Sequence, residues 1–89
     1  MFFQQQQQEP DTKLYDILNV SKNSPAVDIK KSYKKLAMIW HPDRNKDDKE
    51  VAETKFKDIS MAYDILGDED KRKSYDQFGL EGMKQMSAL

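Results

Sequence analysis

SPAVDIKKSYKKLAMIWHPD, residues 24–43, is the stretch that decides the fold. Its apolar side chains recur every three or four residues and so line one face of an α-helix; they are Ile29, Tyr33, Leu36, Ala37 and Trp40. Ser24 is a favourable N-cap, and Pro25 suits the first helical position. Pro42 forces the chain out of the helix and biases His41 toward extended geometry. The pattern therefore predicts an amphipathic helix that ends at a proline turn.

The other side of this helix carries a cluster of lysines with no acidic residue among them: Lys30, Lys31, Lys34 and Lys35. Residues 24–46 hold six basic side chains against two acidic ones, whereas residues 47–89 hold seven against eleven. The whole chain has a net charge of −1. A basic patch on a near-neutral chain favours a specific acidic protein surface as its partner. A merely solvated helix face is the alternative interpretation.

A second long helix is predicted over residues 51–66. It follows a charged stretch, residues 42–50, that has no periodic apolar side chain and is predicted to be a loop. Gly67 is a natural stop for the helix. The apolar residues recur at helical spacing; they are Ala52, Phe56, Ile59, Tyr63 and Leu66, with Ala62 beside them. We assign the aromatic residues of both long helices to the core, and only the Tyr33 hydroxyl is expected to be exposed.

A short helix is predicted over residues 13–18, before the first long one. Asp11 or Thr12 serves as its N-cap. Its apolar face is formed by Leu14, Ile17 and Leu18. Asn19 tolerates the left-handed conformation that often ends a helix. So short a helix is marginal alone and has to be held by packing.

Another short helix is predicted over residues 69–77, after the second long one. Asp68 is its expected N-cap, and the acidic residues that follow suit the positive end of the helix dipole. Tyr75 and Phe78 are expected to pack inward. Gly79 is expected to end the helix.

Together these elements predict an all-α domain over residues 11–79. The two long helices form an antiparallel hairpin, the short helices cover it, and the linking loop is exposed at one tip. Residues 1–10 contain five consecutive glutamines and are expected to be a disordered lead. Residues 80–89 are interpreted as a C-terminal extension that starts a linker to regions of a longer protein.

Composition excludes several classes of function. The chain has no cysteine and one histidine, so we expect no thiolate metal site, no metal site of any kind and no cofactor. No apolar run approaches the ~20 residues that cross a bilayer, and the amino terminus lacks the pattern of a signal peptide. A cytoplasmic protein, or a nuclear one, is expected. His41 and Asp43 are poorly placed for a catalytic dyad across a proline, so we expect no enzymatic activity.

The tripeptide His41-Pro42-Asp43 is the decisive functional feature. It lies in an exposed loop between two rigid helices, where binding residues are often placed. Proline stiffens the turn, and histidine donates or accepts a hydrogen bond. The aspartate offers a carboxylate that an arginine can bind in a bidentate manner.

The chain resembles the J-domain of the DnaJ-type co-chaperones. Six segments carry the resemblance: LYDIL at 14–18, IKKSYKKLA at 29–37, HPDRN at 41–45, KFKDI at 55–59, AYDIL at 62–66 and DKRKSYDQFG at 70–79. The resemblance implies a four-helix module that docks on a DnaK-type chaperone and stimulates its ATP hydrolysis. Client polypeptides would bind through regions outside this chain.

The resemblance also implies roles for individual residues. Asp43 would pair with an arginine of the chaperone, while His41 and Pro42 shape the turn and contact the partner. Arg44 and Asn45 would add polar contacts. An acidic surface of the partner would be met by Tyr33, Lys30, Lys34 and Lys35. In relatives, glycine is common where Asn19 stands, and serine or threonine where Gly67 stands; both residues suit the expected conformation.

Two rival functions remain open at this point. One is nucleic-acid binding through the first long helix. The long loop after that helix, the scarcity of arginine and the acidic C-terminal half weigh against it, and we predict no nucleic-acid partner. The other is an interaction adaptor whose tripeptide activates nothing.

Overall fold

A computed structural model describes residues 11–87 of the chain. The lead predicted for residues 1–10 lies outside the described residues, as do residues 88 and 89. The structure contains four α-helices: α1, Lys13–Ile17; α2, Ala26–Ile39; α3, Lys49–Leu66; and α4, Glu69–Ser87. Two short 3-10 turns, Pro42–Arg44 and Lys46–Asp48, link α2 to α3. No strand occurs in the part of the chain that the structure describes, and the prediction of an all-α fold is confirmed.

α2 and α3 pack side by side in opposite directions. The rings of Tyr33 and Tyr63 stack with their centroids 4.3 Å apart and their planes at 9°. Nearer the link, the rings of His41 and Phe56 meet edge to face at 5.5 Å. Residue numbers thus rise along α2 as they fall along α3, which is the predicted antiparallel hairpin. The link between the helices lies at one tip of the domain.

The core is formed where α1 and α4 cover this hairpin. Its buried side chains come from all four helices and from the residue after α1; they are Leu14, Tyr15, Leu18, Ile29, Ile59, Ala62, Leu66 and Tyr75. Tyr15 and Tyr75 meet in a tilted arrangement with their ring centroids 5.8 Å apart. The Leu14 amide donates to the Tyr75 hydroxyl at 3.1 Å. α1 has only five residues, so it depends on this packing for its stability.

Three of the predicted helix-end residues act as expected. Thr12 is the N-cap of α1 and makes no side-chain capping bond. Asp11, the alternative cap, lies one residue earlier and accepts a hydrogen bond at Oδ1 from the amide of Lys13 at 3.0 Å. Asp68 Oδ1 accepts two, from Asp70 at 3.0 Å and from Lys71 at 3.1 Å. Asn19 has a φ of 60° and turns the chain after α1. Each of these interactions is local, which is why the sequence pattern predicted it.

The predicted start of α2 was wrong by one residue. Pro25 is the N-cap rather than the first helical residue, and its carbonyl accepts from the amides of Asp28 and Ile29. The Ser24 hydroxyl instead accepts from the Ser21 amide at 3.0 Å. Ser24 therefore stabilises the preceding turn. The third helix begins at Lys49, two residues before its predicted start, because a 3-10 turn leads directly into it.

Phe56 and Phe78 were predicted in the core, and the structure corrects both. Phe56 is partly buried beside the tip, away from the core cluster. Phe78 is 50% exposed. Gly79 breaks α4 with φ 74° and ψ 174°, and Leu80 and Met83, beyond the break, pack against the core in place of Phe78.

The start of α2, at the end of the domain opposite the tip, is anchored by Arg72. Its Nη2 donates to the carbonyl oxygens of Ser24 at 2.7 Å and Lys22 at 3.1 Å. Its Nε donates to the Tyr15 hydroxyl at 3.2 Å, which in turn donates to Asp76. Burial, followed by the hydrogen bond to Asp76, raises the pKa of Tyr15, so the phenol remains a donor at neutral pH. This network ties the α1–α2 loop to α4.

Asp11 connects α1 to the helical segment after Gly79. Its Oδ2 accepts from the Leu80 amide at 3.1 Å, and its Oδ1 accepts from the Tyr75 hydroxyl at 2.8 Å. Residues 80–87 are helical, although they were interpreted as the start of a linker. The division of the chain at residues 79 and 80 remains a prediction.

The hydrogen bonds to Asp11 make the stability of the fold depend on pH. Burial raises the pKa of this carboxyl, but the donors from Leu80, Lys13 and Tyr75 outweigh it and hold the pKa below its ordinary value of 3.8. A carboxyl whose pKa is lowered by folding stabilises the fold at pH values above its unfolded pKa. That contribution is lost as the pH falls through the folded pKa.

We predict that Asp11→Asn lowers the free energy of unfolding at pH 6 and that the difference from wild type shrinks below about pH 4. Urea unfolding followed by circular dichroism at pH 6, 4 and 3 measures this difference. Asp47→Asn, at an exposed position, is the matched control. A difference that is constant across this range would contradict the assignment.

Candidate partner-docking site

The backbone of the tip holds the tripeptide in a fixed turn. His41 has φ −61° and ψ 133°, the extended geometry predicted for a residue before proline. Pro42 begins the first 3-10 turn, and the Arg44 amide closes it by donating to the His41 carbonyl at 2.9 Å. The tripeptide therefore follows α2 as a closed turn.

The His41 side chain also stabilises this turn. Nδ1 accepts a hydrogen bond from the Asp43 amide at 3.2 Å, which requires Nδ1 to be unprotonated and places the proton of the neutral ring on Nε2. The ring also meets Phe56 edge to face. The orientation of the imidazole is thus set by two contacts within the chain.

The Asp43 carboxylate faces solvent. Its side chain is 88% exposed, and its Oδ2 lies 3.8 Å from His41 Nδ1. Among the side chains of residues 11–85, no lysine or arginine pairs with it. An exposed carboxylate on a hydrogen-bonded turn, without a lysine or arginine partner among these side chains, is suited to bind an arginine supplied from outside.

Arg44 and Asn45, both predicted to contact a partner, are placed differently from each other. Arg44 is exposed, whereas Asn45 is partly buried. Asn45 Nδ2 donates to the Ile39 carbonyl at 2.8 Å and to the His41 carbonyl at 2.9 Å. Its amide donors therefore point into the chain.

Sequence reasoning missed an apolar hollow beside the tripeptide. The hollow has a volume of ≈ 340 Å³ and is lined by Ala37, Met38, His41, Asp43, Arg44 and Phe56. Met38 is 59% exposed at its edge. The predicted antiparallel hairpin was the sequence signal that could have located this hollow, because it places Phe56 opposite the end of α2.

The lysine face, formed by Lys30, Lys31, Lys34 and Lys35, is exposed along α2. Within residues 11–85 none of its ammonium groups forms an ion pair. Lys34 precedes His41 by seven residues, a distance of roughly 10 Å along a helix. The lysine face and the tripeptide thus adjoin on one side of the domain.

Tyr33 is partly buried against Tyr63 beside this lysine face. A side chain at Gly67 would disturb that stack, because its Cβ would lie 2.8 Å from the Tyr63 ring. Gly67 has a φ of −83°, so glycine is required here for space and not for a left-handed conformation.

Among the residues that the structure describes, no group of histidine, aspartate and glutamate side chains is arranged to hold a metal ion. No described helix combines the length and apolar character that a bilayer span requires.

The comparisons with known proteins point to one family. A family model described as the DnaJ domain matches residues 13–76. The chaperone protein DnaJ of Francisella philomiragia is 63% identical over 71 residues, which are 80% of this chain and 19% of that protein. An uncharacterized J domain-containing protein of Schizosaccharomyces pombe is 56% identical over 71 residues, 80% of this chain and 18% of its own. DnaJ homolog subfamily B member 6-B of Xenopus laevis is 52% identical over 69 residues, 78% of this chain and 28% of its own.

We predict that Phe56→Ala leaves a cooperatively folded domain, because Phe56 lies at the tip and not in the core. The expected loss in free energy of unfolding is about 1–2 kcal/mol, since only part of the ring is removed from water. Leu18→Ala, which empties a fully buried site, is the comparison and should cost about 2–5 kcal/mol. Thermal and urea melts measure both. If Phe56→Ala loses as much free energy of unfolding as Leu18→Ala, or more, Phe56 belongs to the core after all.

Proposed function

This chain belongs to the DnaJ-domain family, and on that premise we propose that it is a co-chaperone module that binds a DnaK-type chaperone and stimulates its ATP hydrolysis. The observation that carries the proposal is the exposed tripeptide, held in a hydrogen-bonded turn beside a lysine face that forms no ion pair among the described side chains. The module itself catalyses nothing, because the chemistry takes place in the partner. Its proposed compartment is the cytoplasm.

Docking would begin with the lysine face. Exposed lysines act as mobile point charges that steer encounter with an acidic surface and raise the association rate. Lys30, Lys34 and Lys35 would meet such a surface on the ATPase domain. Tyr33 would add contact area between the lysine face and the body of the domain. Interactions of this kind are screened within about 10 Å at moderate salt, so binding should be salt-sensitive.

The tripeptide would then form the short-range contact. Asp43 would pair with an arginine of the chaperone, while His41 and Pro42 fix the position of the carboxylate. Arg44 and the apolar hollow at Met38 and Phe56 would supply contacts around that pair. Such a pair is directional, so it can favour one arrangement of the partner over others. Stabilising the arrangement that hydrolyses ATP is how the tip would stimulate the reaction.

The chain spans less than a third of each relative described above. Binding of client polypeptides is therefore assigned, as part of this proposal, to regions of a longer protein. A single-turnover ATPase assay with a purified DnaK-type chaperone tests the proposal directly. Faster release of phosphate supports it. Binding without acceleration would instead identify an adaptor, and tight, steeply salt-dependent binding to DNA or RNA would favour the nucleic-acid alternative.

We predict that Asp43→Asn abolishes this stimulation while the helical circular dichroism is unchanged, because the carboxylate is exposed and supports no helix. Asp47→Asn makes the same change of charge a few residues away and should stimulate normally. Titrations of both variants in the single-turnover assay measure the effect. Normal stimulation by Asp43→Asn would show that the proposed arginine pair is wrong.

We predict that Lys34→Ala combined with Lys35→Ala weakens docking and flattens its dependence on salt, because the variant removes two charges from the lysine face. Lys57→Ala combined with Lys73→Ala removes the same charge from exposed positions on α3 and α4 and is the control. Binding at several salt concentrations, measured by surface plasmon resonance, compares the slopes. Equal slopes for the two double variants would remove the electrostatic argument.

A further inference from the structure

The end of α2 is short of hydrogen-bond donors. The last carbonyls of any helix lack intrahelical partners, and Pro42 contributes no amide hydrogen. The amide of Asp43 stands four residues after Ile39 and would serve its carbonyl in a continuing helix. That amide donates instead to His41 Nδ1. The Ile39 carbonyl thus lacks the backbone donor that a continuing helix would supply.

Asn45 supplies a donor from its side chain. Nδ2 donates to the Ile39 carbonyl at 2.8 Å and to the His41 carbonyl at 2.9 Å. Both amide hydrogens are thereby used. Asn45 is partly buried, whereas its neighbours Arg44 and Lys46 are exposed. Among residues 44–46, only the side chain of Asn45 is turned toward the body of the chain.

The two hydrogen bonds close a ring around the tripeptide. They join Asn45, which follows the turn, to Ile39, the last residue of α2, and to His41, the first residue of the tripeptide. A turn held at both ends has fewer conformations to lose when it binds a rigid partner, and preorganisation of this kind increases affinity. We propose that Asn45 is a positioning residue, which fixes the tripeptide before docking through its inward amide and does so without contacting the partner.

Chemistry distinguishes this role from a partner contact. Asn45→Asp keeps the shape and the Oδ1 acceptor of the side chain but replaces the donating NH2 group with a second oxygen, which only accepts. That oxygen would face two carbonyl oxygens and could bond to neither. A partner contact through Oδ1 would survive this change, whereas the ring around the tripeptide would open as it does in Asn45→Ala.

The first experiment uses the free protein and needs no partner. Backbone ¹⁵N relaxation gives order parameters for Asp43 and Arg44. We expect values near the ~0.85 of rigid backbone in wild type and below about 0.6 in both Asn45→Ala and Asn45→Asp. Asn23→Asp, an exposed change in the α1–α2 loop, should match wild type. Wild-type order parameters in both Asn45 variants would overturn the inference.

The second experiment rests on the proposed function. At a temperature where all variants are folded by circular dichroism, both Asn45 variants should need about fivefold more protein for half-maximal ATPase stimulation, because docking has to order the tip. Stimulation at saturation should stay within about twofold of wild type, since the docked contacts are the same. A purely structural role would lower the melting temperature without moving this midpoint.

A wild-type midpoint for Asn45→Asp beside a raised one for Asn45→Ala would also overturn the inference, because it would indicate a partner contact through Oδ1. If the wild-type chain fails to stimulate any DnaK-type chaperone, the proposed function falls. The order parameters of the free protein then decide the role of Asn45 by themselves, so the two failures are distinguishable.

Discussion

The contact between α2 and α3 is the constraint on which the rest of the structure depends. Neither helix, at 14 and 18 residues, is long enough to be strongly stable in water alone, so each requires the apolar seam of the other. The flat stack of Tyr33 on Tyr63 fixes the register of that seam. Once the register is set, Phe56 lies opposite His41, and the link between the helices has to project from one tip.

α1 and α4 stabilise this pair through buried polar contacts as well as apolar ones. The Tyr75 hydroxyl accepts from the Leu14 amide and donates to Asp11, while Arg72 binds the carbonyls that precede α2. Among the described residues, no buried side-chain polar atom lacks a hydrogen-bond partner. Such complete pairing favours one arrangement of helices over its competitors. α2 is thus anchored at the end opposite the tip.

Some polar groups at the tip face the chain, and others face solvent. His41 Nδ1 and the Asn45 amide are used within the chain, whereas the Asp43 carboxylate and the lysine face point to solvent. Exposed charges of this kind contribute little to folding, so their arrangement is better explained by a partner than by stability. The inward groups hold the turn, and the outward groups remain available for binding.

The local features of this protein were predictable from the sequence, and they include most of the candidate site. Helical periodicity located all four helices, although α4 runs past its predicted end at residue 77 to Ser87. Helix-end residues such as Asp11, Asp68 and Asn19 were identified because each acts within a few residues. The tripeptide and the lysine face were predicted in the same way, from neighbouring residues on one helix and its end. The exposure of the tripeptide followed from the polar composition of the link, and that of the lysine face from its position opposite the apolar face of α2.

Only the tertiary structure decided which of several equivalent positions is buried. Phe56 and Phe78 fit the apolar pattern as well as Ile59 or Tyr75 do, but burial depends on which distant side chain lies opposite. Leu80 covers the core where Phe78 was expected, because Gly79 redirects the chain. The inward amide of Asn45 was equally beyond the sequence, since its acceptors are carbonyls exposed by the end of α2. Local propensity is encoded by neighbours along the chain, whereas packing is decided by neighbours in space.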